Sequence, residues 1–150
     1  QRAIRYQRHL ALVFCDIDFF KKINDEYGHA VGDNVLIAFT QCLVDELRAD
    51  VDWIVRYGGE EFIMVLPETS LIAALEVAER IRHKVEYDLV IRLSDGRILH
   101  ITASFGVAQL QTADSMESMV QRADEWLYKA KSQGRNQVYP KAAPVIHLAP

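Results

Sequence analysis

Hydrophobic and polar positions follow two different periods along this chain. Short apolar, β-branched or aromatic runs, some bounded by glycine or polar turns, indicate strands. A Ser-Asp-Gly turn between two such runs predicts a hairpin in the second half of the chain. The predicted strands are residues 10–16, 52–57, 62–66, 89–93, 98–110 and 137–139.

Three stretches between these strands carry apolar residues at helical spacing, which predicts amphipathic helices. Asp33 is the expected N-cap of the first helix, and Ser70 is the expected start of the second. Asp114 with Glu117 resembles a capping box at the start of the third. The order βαββαβ is ferredoxin-like and predicts an α/β (α+β) fold, with a central, mostly antiparallel sheet flanked by helices.

Composition narrows the class of protein. The chain has 150 residues, half of them hydrophobic and a quarter charged, which suits one globular core. Its formal charge of −4 argues against a general nucleic-acid binder. Cys15 and Cys42 fall in a predicted strand and a predicted helix, so we expect reduced thiols and a cytoplasmic setting. No apolar run has the length of a membrane span, so no direct membrane contact is expected, although a parent protein could be membrane-anchored.

The two ends of the chain differ from the middle. Residues 1–8 look like the polar end of a longer helix, which predicts that the chain is a fragment. Residues 140–150 carry three prolines among small and apolar residues and are predicted to form a loose tail. The predicted division is therefore a single domain at residues 1–139, followed by that tail.

The first chemical signal is a two-glycine turn that two acids follow at once. Gly58 and Gly59 separate two predicted strands, and Glu60, Glu61 and Phe62 come next. Glycine makes the turn sterically easy, whereas two adjacent carboxylates at a bend favour a bound cation. The alternative is an ordinary hairpin whose glutamates are solvated.

A second signal lies upstream, where an apolar strand ends in an acid. Asp16 follows the run at residues 10–15, and it therefore occupies the carboxyl end of a buried strand, where open α/β sheets bind ligands. Packing does not explain an acid in that position. Asp18, two residues further on, is predicted to be structural.

Together these segments resemble the GGDEF family of diguanylate cyclases. The family signature reads Gly-Gly-(Asp/Glu)-Glu-Phe, and its first strand ends in Asp-x-Asp-x-Phe-Lys-x-x-Asn-Asp, which matches residues 16–25. Further motifs match at residues 122–124, 127–131 and 134–136, so the resemblance covers roughly residues 10 to 139. It implies a palm-type nucleotidyl cyclase core.

The resemblance also implies a metal site. Asp16, Glu60 and the backbone carbonyl of Ile17 would hold Mg²⁺ or Mn²⁺, and Glu61 is either a further ligand or a partner of the hairpin. Hard cations of this kind use one or two carboxylates together with water and phosphate oxygens. Without a cation, the carboxylates would repel a triphosphate.

Several positions are candidates for binding the phosphates. Phe19, Phe20 and Lys21 open a predicted helix, where backbone N–H groups can face an anion. Lys131 and Arg135 match family positions that reach the phosphates. The alternative for this pair is a favourable interaction with the dipole at a helix C-terminus.

Asn24 and Asp33 are the candidates for selecting the base. A carboxylate accepts from guanine N1–H and N2–H together, while an amide both donates and accepts, so this pair suits guanine better than adenine. The competing role for Asp33 is the N-cap described above.

The implied reaction is the condensation of two GTP into cyclic di-GMP and two pyrophosphates. Each domain would hold one GTP, so a homodimer is needed, with Glu60 and Asp16 as the catalytic carboxylates. A sensory or receiver domain of the parent chain is the expected regulator. The rival interpretations are a non-catalytic GTP or cyclic di-GMP binding module, and a cyclase that makes a monomeric product.

Product feedback is expected to be weak. Family members that are inhibited by their product carry Arg-x-x-Asp ahead of the Gly-Gly turn, and Asp52 matches the acid. The arginine position is Ala49, and the nearest arginine is Arg48. One residue of shift near a helix end turns a side chain by about 100°, so Arg48 would miss the ligand.

Overall fold

A computed structural model describes residues 9–142, and they form one central sheet with helices on both faces. The predictions for residues 1–8 and 143–150 lie outside the described residues. The main strands are β1 (Leu10–Ile17), β2 (Trp53–Arg56), β3 (Glu61–Pro67), β6 (Ala103–Gln109) and β7 (Val138–Tyr139). A separate small ladder contains β4 (Ile91–Arg92) and β5 (Ile98–Leu99). The helices are α1 (Phe20–Tyr27), α2 (His29–Glu46), α3 (Leu71–Tyr87) and α4 (Met116–Ser132).

The sheet has the order β2-β3-β1-β6-β7, and β1 lies at its centre. All its pairings are antiparallel except β6 with β7, which are parallel. The predicted mostly antiparallel sheet with flanking helices is therefore confirmed. Among the described residues, no helix is long and apolar enough to cross a bilayer.

β1 is central because it is apolar on both faces. Ala11, Val13 and Cys15 pack towards α2 and α3, while Leu12 and Phe14 pack towards α4. This double burial explains why the strand reads as a continuous apolar run instead of an alternating one. Cys15 and Cys42 are free thiols, as predicted.

The helix starts differ from two of the three predictions. Asp33 is not an N-cap, because α2 begins at His29 and Gly28, with φ of 90°, makes the break between α1 and α2. Asp33 is therefore an exposed residue inside the helix. Ser70 does cap α3, where its Oγ accepts from the Ala73 N–H at 3.2 Å.

The predicted capping box at the start of α4 is also wrong in its residues. Ser115 is the N-cap, and it forms a reciprocal pair with Ser118. Asp114 accepts hydrogen bonds from the Ser118 hydroxyl and the Arg122 guanidinium instead. Arg122 also donates to the Gln109 carbonyl at 2.6 Å and so ties the helix to the end of β6.

The predicted long hairpin at residues 89–110 is interrupted. β4 and β5 pair over only two residues each, and residues 100–102 then carry the chain to the main sheet. The Asp18 N–H donates to the Thr102 carbonyl at 2.9 Å, which fastens this crossing to the end of β1. The strand predicted at 98–110 is therefore two strands in two different sheets.

Gly106 sets how closely α4 approaches the sheet. A Cβ at this position would lie 2.1 Å from the Ala123 carbonyl oxygen and 2.3 Å from the Leu127 nitrogen. These are backbone atoms of a helix, which cannot move aside as a flexible side chain could. A glycine is therefore needed where β6 passes beneath α4.

We expect Gly106→Ala to lower the free energy of unfolding by about 1–3 kcal/mol, because the helix must shift to accommodate the methyl group. Urea denaturation measures the change. Gly59→Ala is the matched control, since a Cβ there meets no atom within 4 Å, and we expect its effect to stay within about 0.5 kcal/mol. Equal stability of the Gly106 variant and the wild type would contradict the close-packing argument.

Candidate functional site

The hairpin between β2 and β3 brings the predicted acids to the end of β1. Asp16 pairs in register with Glu61, and the Ile17 N–H donates to the Glu60 carbonyl at 3.4 Å. The structure therefore brings together the acidic residues of two motifs that lie about 45 positions apart in the sequence, as the register shows.

The carboxylate of Asp16 is mostly buried, and this dominates its titration. The pKa of Asp16 is raised from 3.8 to about 6, chiefly by burial and to a smaller extent by the nearby charges of Glu60 and Glu61. A hydrogen bond and ion pair with Lys131 act in the opposite direction. Burial and two like charges disfavour the ionised form of this acid, so a positive charge bound beside it would stabilise the carboxylate.

Glu61 turns back onto its own hairpin. A Cβ on Gly58 would lie 2.4 Å from Glu61 Oε1, so the carboxylate occupies the space that the glycine leaves open. The Glu61 carbonyl also accepts from the Tyr57 and Gly58 N–H groups, at 2.8 and 3.3 Å. Of the two roles left open for Glu61, this geometry favours the partner of the hairpin.

Arg56 also belongs to the hairpin, although no sequence pattern singled it out. Its Nε and Nη2 donate to the Gly59 carbonyl at 3.1 and 2.6 Å, and its Nε donates to the Gly58 carbonyl at 3.3 Å. The fork therefore holds the turn directly before Glu60. Its position two residues ahead of Gly58, at a turn whose carbonyls need donors, is the signal that could have identified it.

These residues fit a magnesium-type site better than a site made by the protein alone. Among residues 9–142, no three His, Cys, Asp or Glu side chains are grouped so that they could hold a metal ion. The protein would supply only a few ligands, namely Asp16, Glu60 and a main-chain carbonyl. Mg²⁺ is commonly bound in this way, with phosphate oxygens and water completing its coordination shell. The raised pKa of Asp16 indicates where a further positive charge is favoured.

Three of the five predicted phosphate-binding residues, Phe19, Lys131 and Arg135, lie around the end of β1, near Asp16 and Asp18. Phe19, with φ of 58°, precedes α1 and has an exposed side chain. The Arg135 guanidinium lies 4.7 Å from the centre of its ring. Lys131 points from the last turn of α4 to Asp16, so it does more than complement a helix dipole. Phe20 is half-buried in the core, and Lys21 is exposed on the first turn of α1.

The predicted base-binding residues also lie close together. Asn24 Oδ1 is buried without a hydrogen-bond partner within the described part of the chain. A Cβ on Gly32 would lie only 1.8 Å from this oxygen, so the glycine makes room for the amide. Asp33 follows directly on α2. A buried acceptor without a donor is rare in folded proteins and is consistent with a ligand that supplies one.

Arg48 is occupied by hydrogen bonds within the fold. Its guanidinium donates to Asp52 from Nε and Nη2, at distances of 2.7 to 3.2 Å. Nη2 also donates to the Pro67 carbonyl at 2.8 Å and to Thr69 Oγ1 at 3.0 Å. The pair therefore fastens the end of α2 to the segment before α3.

Comparisons with known proteins identify a family and a set of similar folds. The family model described as "Diguanylate cyclase, GGDEF domain" matches residues 1–137. The chain is 45% identical over 135 residues to the response regulator PleD of Caulobacter vibrioides, which covers 89% of this chain and 30% of PleD. The chain spans less than two fifths of the length of the curated relatives that it matches.

Two solved structures have similar folds. The GGDEF domain of DgcB from Caulobacter crescentus, in complex with c-di-GMP, superposes with a TM-score of 0.85 at 32% identity, covering 91% of this chain and 80% of that one. The active GGEEF domain of a diguanylate cyclase from Vibrio cholerae gives 0.82 at 35% identity, covering 94% and 89%. The match to the family model over residues 1–137, together with these structures, shows that the chain belongs to the GGDEF domain family of diguanylate cyclases.

Proposed function

We propose that this chain is a diguanylate cyclase domain that condenses two GTP into cyclic di-GMP and two pyrophosphates. The observation that carries the proposal is the Gly-Gly-Glu-Glu-Phe hairpin paired in register with Asp16 at the end of β1. The Vibrio cholerae structure is described as the active GGEEF domain of a diguanylate cyclase. This chain has the same five residues at its hairpin, which supports the proposed activity.

Each bond-forming step couples two half-sites. The 3′-hydroxyl of one GTP attacks the α-phosphorus of the other, a new P–O bond forms, the bond to the β-phosphate breaks, and pyrophosphate leaves. A second such step closes the ring. Since one domain holds one GTP, the reaction needs a homodimer with facing sites. Glu60 receives the proton of the attacking hydroxyl. Asp16 would hold the positive charge of the cation beside the phosphates.

A divalent ion, Mg²⁺ or Mn²⁺, would be held by Asp16, Glu60 and the Ile17 carbonyl, and it would supply Lewis-acid activation of the phosphate. Backbone N–H groups at residues 19–21 orient the phosphates. Lys131 and Arg135 add positive charge on the same side. Asn24 and Asp33 select guanine, and the unpaired oxygen of Asn24 supports this role.

We further propose that the domain works in the cytoplasm, as the output unit of a longer chain. The chain spans only about a third of the length of these relatives. One of them, PleD, is a response regulator, which supports control by a sensory or receiver domain. Such a partner would act by bringing two domains face to face.

The test of the proposed activity is incubation with GTP and Mg²⁺, followed by mass identification of the product. Cyclic di-GMP is the expected product, and a chelator should prevent its formation. A monomeric cyclic nucleotide would identify a different cyclase. Binding of GTP or cyclic di-GMP without turnover, at protein concentrations that allow dimers, would identify a regulatory binding module instead.

Glu60→Gln should reduce turnover by roughly 100-fold or more, because the amide neither binds a metal well nor accepts the hydroxyl proton. Rates of pyrophosphate release measure this change. Glu125→Gln removes an exposed carboxylate on α4 and serves as the control, with an unchanged rate expected. A Glu60 variant that kept most of the wild-type rate would overturn the metal and proton-acceptor assignment.

Asp33→Ala should weaken GTP binding roughly 10- to 100-fold, the range for loss of hydrogen bonds to a charged acceptor. Because Asp33 lies inside α2 and does not cap it, the melting temperature should remain close to that of the wild type. Isothermal calorimetry gives the affinity. Asn34→Ala alters the adjacent exposed position and should leave the affinity unchanged, whereas equal affinities for all three proteins would remove Asp33 from the base site.

Product inhibition should be weak, because Arg48 is already engaged by Asp52, Pro67 and Thr69. Calorimetric titration with cyclic di-GMP should show weak binding, with inhibition only at high product concentration. Arg48→Ala should leave that inhibition unchanged. Tight binding that is lost in both Arg48→Ala and Asp52→Asn would show that the shifted pair still forms an inhibitory site.

A further inference from the structure

The segment after α4 has an unusual backbone. Gly134, Arg135 and Asn136 follow one another with φ of 117°, 63° and 48°. Glycine adopts such angles freely, but arginine and asparagine do so at a cost, and the conformation persists only where the surroundings hold it. Something must therefore restrain residues 135 and 136.

Asn136 is the anchor, because its backbone N–H and both polar atoms of its side chain form hydrogen bonds. Its backbone N–H donates to Asp18 Oδ2 at 3.0 Å and to Ser104 Oγ at 3.1 Å. Its side-chain oxygen accepts from Arg82 Nη1 at 2.9 Å, and its Nδ2 donates to Glu86 Oε2 at 2.8 Å. The backbone is thus tied to the sheet and the side chain to α3.

The two anchoring points are themselves fixed. Asp18 is buried and also accepts from Thr102 Oγ1 and Ser104 Oγ, both at 2.7 Å. Arg82 is held on α3 by its ion pairs with Glu79 and Glu86. Asn136 therefore connects a rigid strand end to a helix that contributes none of the candidate GTP contacts.

Arg135 lies between this anchor and Gly134. Its guanidinium is over the Phe19 ring, and its Nη1 is 3.9 Å from Asp18 Oδ1. If Asn136 were released, the left-handed turn would relax and the arginine would lose this direction. We propose that Arg82 and Asn136 are positioning residues that hold Arg135 towards the triphosphate, an inference that rests on the proposed function.

Binding of a GTP analogue tests this role. Guanosine 5′-[(α,β)-methyleno]triphosphate with Mg²⁺ cannot release pyrophosphate, so calorimetry on the 150-residue chain reports affinity alone. We expect Arg82→Gln and Asn136→Gly to weaken binding roughly tenfold, within the usual range of coupling between contacting residues. Asn136→Gly keeps the left-handed backbone accessible while it removes the side-chain bonds to Arg82 and Glu86. Arg82→Lys should recover part of the affinity, since it can still donate to Asn136.

Arg80→Gln is the matched control, because Arg80 lies on α3 like Arg82 but forms its ion pair with Glu46 of α2. Its affinity should equal that of the wild type. Melting temperatures of all variants identify any variant that is unfolded. If Arg82→Gln does not fold, the affinity of the milder Asn136→Gly variant tests the proposal.

A double-mutant cycle separates positioning from general stability. Arg135→Ala alone should weaken binding, and adding Arg82→Gln to it should cause no further loss, because the arginine to be positioned is gone. The positioning role alone would be overturned if Arg82→Gln caused the same loss of affinity in the wild type and in the Arg135→Ala variant. It would also be overturned if Arg82→Gln had no effect while Arg135→Ala weakened binding. Unchanged binding by Arg135→Ala would overturn both the phosphate role of Arg135 and this inference.

Discussion

The burial of β1 on both faces is the constraint on which the rest of the structure depends. Helices cover both sides of the strand, so its polar residues come only at the end, where the chain leaves the core. These residues are Asp16 and Asp18. Asp16 is directed to the hairpin and to Lys131, while Asp18 is fastened to β6 and to the loop after α4. One strand end thus organises both the candidate chemistry and its support.

The different fates of these two acids follow from their partners. Asp18 accepts hydrogen bonds from Thr102, Ser104 and the Asn136 N–H, and the Arg135 guanidinium lies 3.9 Å away, so its carboxylate is engaged within the fold. Asp16 has the cation Lys131 and two acidic neighbours, and its pKa is raised to about 6, mainly by burial. A structural acid is saturated by its surroundings, whereas an acid with unmet demand for positive charge is the better candidate for metal and phosphate chemistry.

Sequence patterns predicted the parts of the molecule that depend on local chemistry. The central strand, the glycine turn and the acid at the strand end were readable because each is specified by a few adjacent residues. The start of α2 was not, because Gly28 makes the break four residues ahead of Gly32, and Asp33 only resembles a cap. The capping pair at Ser115 and Ser118 was missed because Asp114 is a strong cap former that is used by Arg122 instead.

The contacts that no local pattern could supply are the long-range ones. Arg82 meets Asn136 across 54 positions, and Asn136 meets Asp18 across 118, so neither pairing leaves a periodic trace. Arg135 and Phe19 both have left-handed backbone angles, and the Arg135 guanidinium lies over the Phe19 ring. Strain on two separate segments that converge at one point indicates that the surrounding fold holds them there. Such a site is shaped before a ligand arrives, and less ordering is then required when it binds.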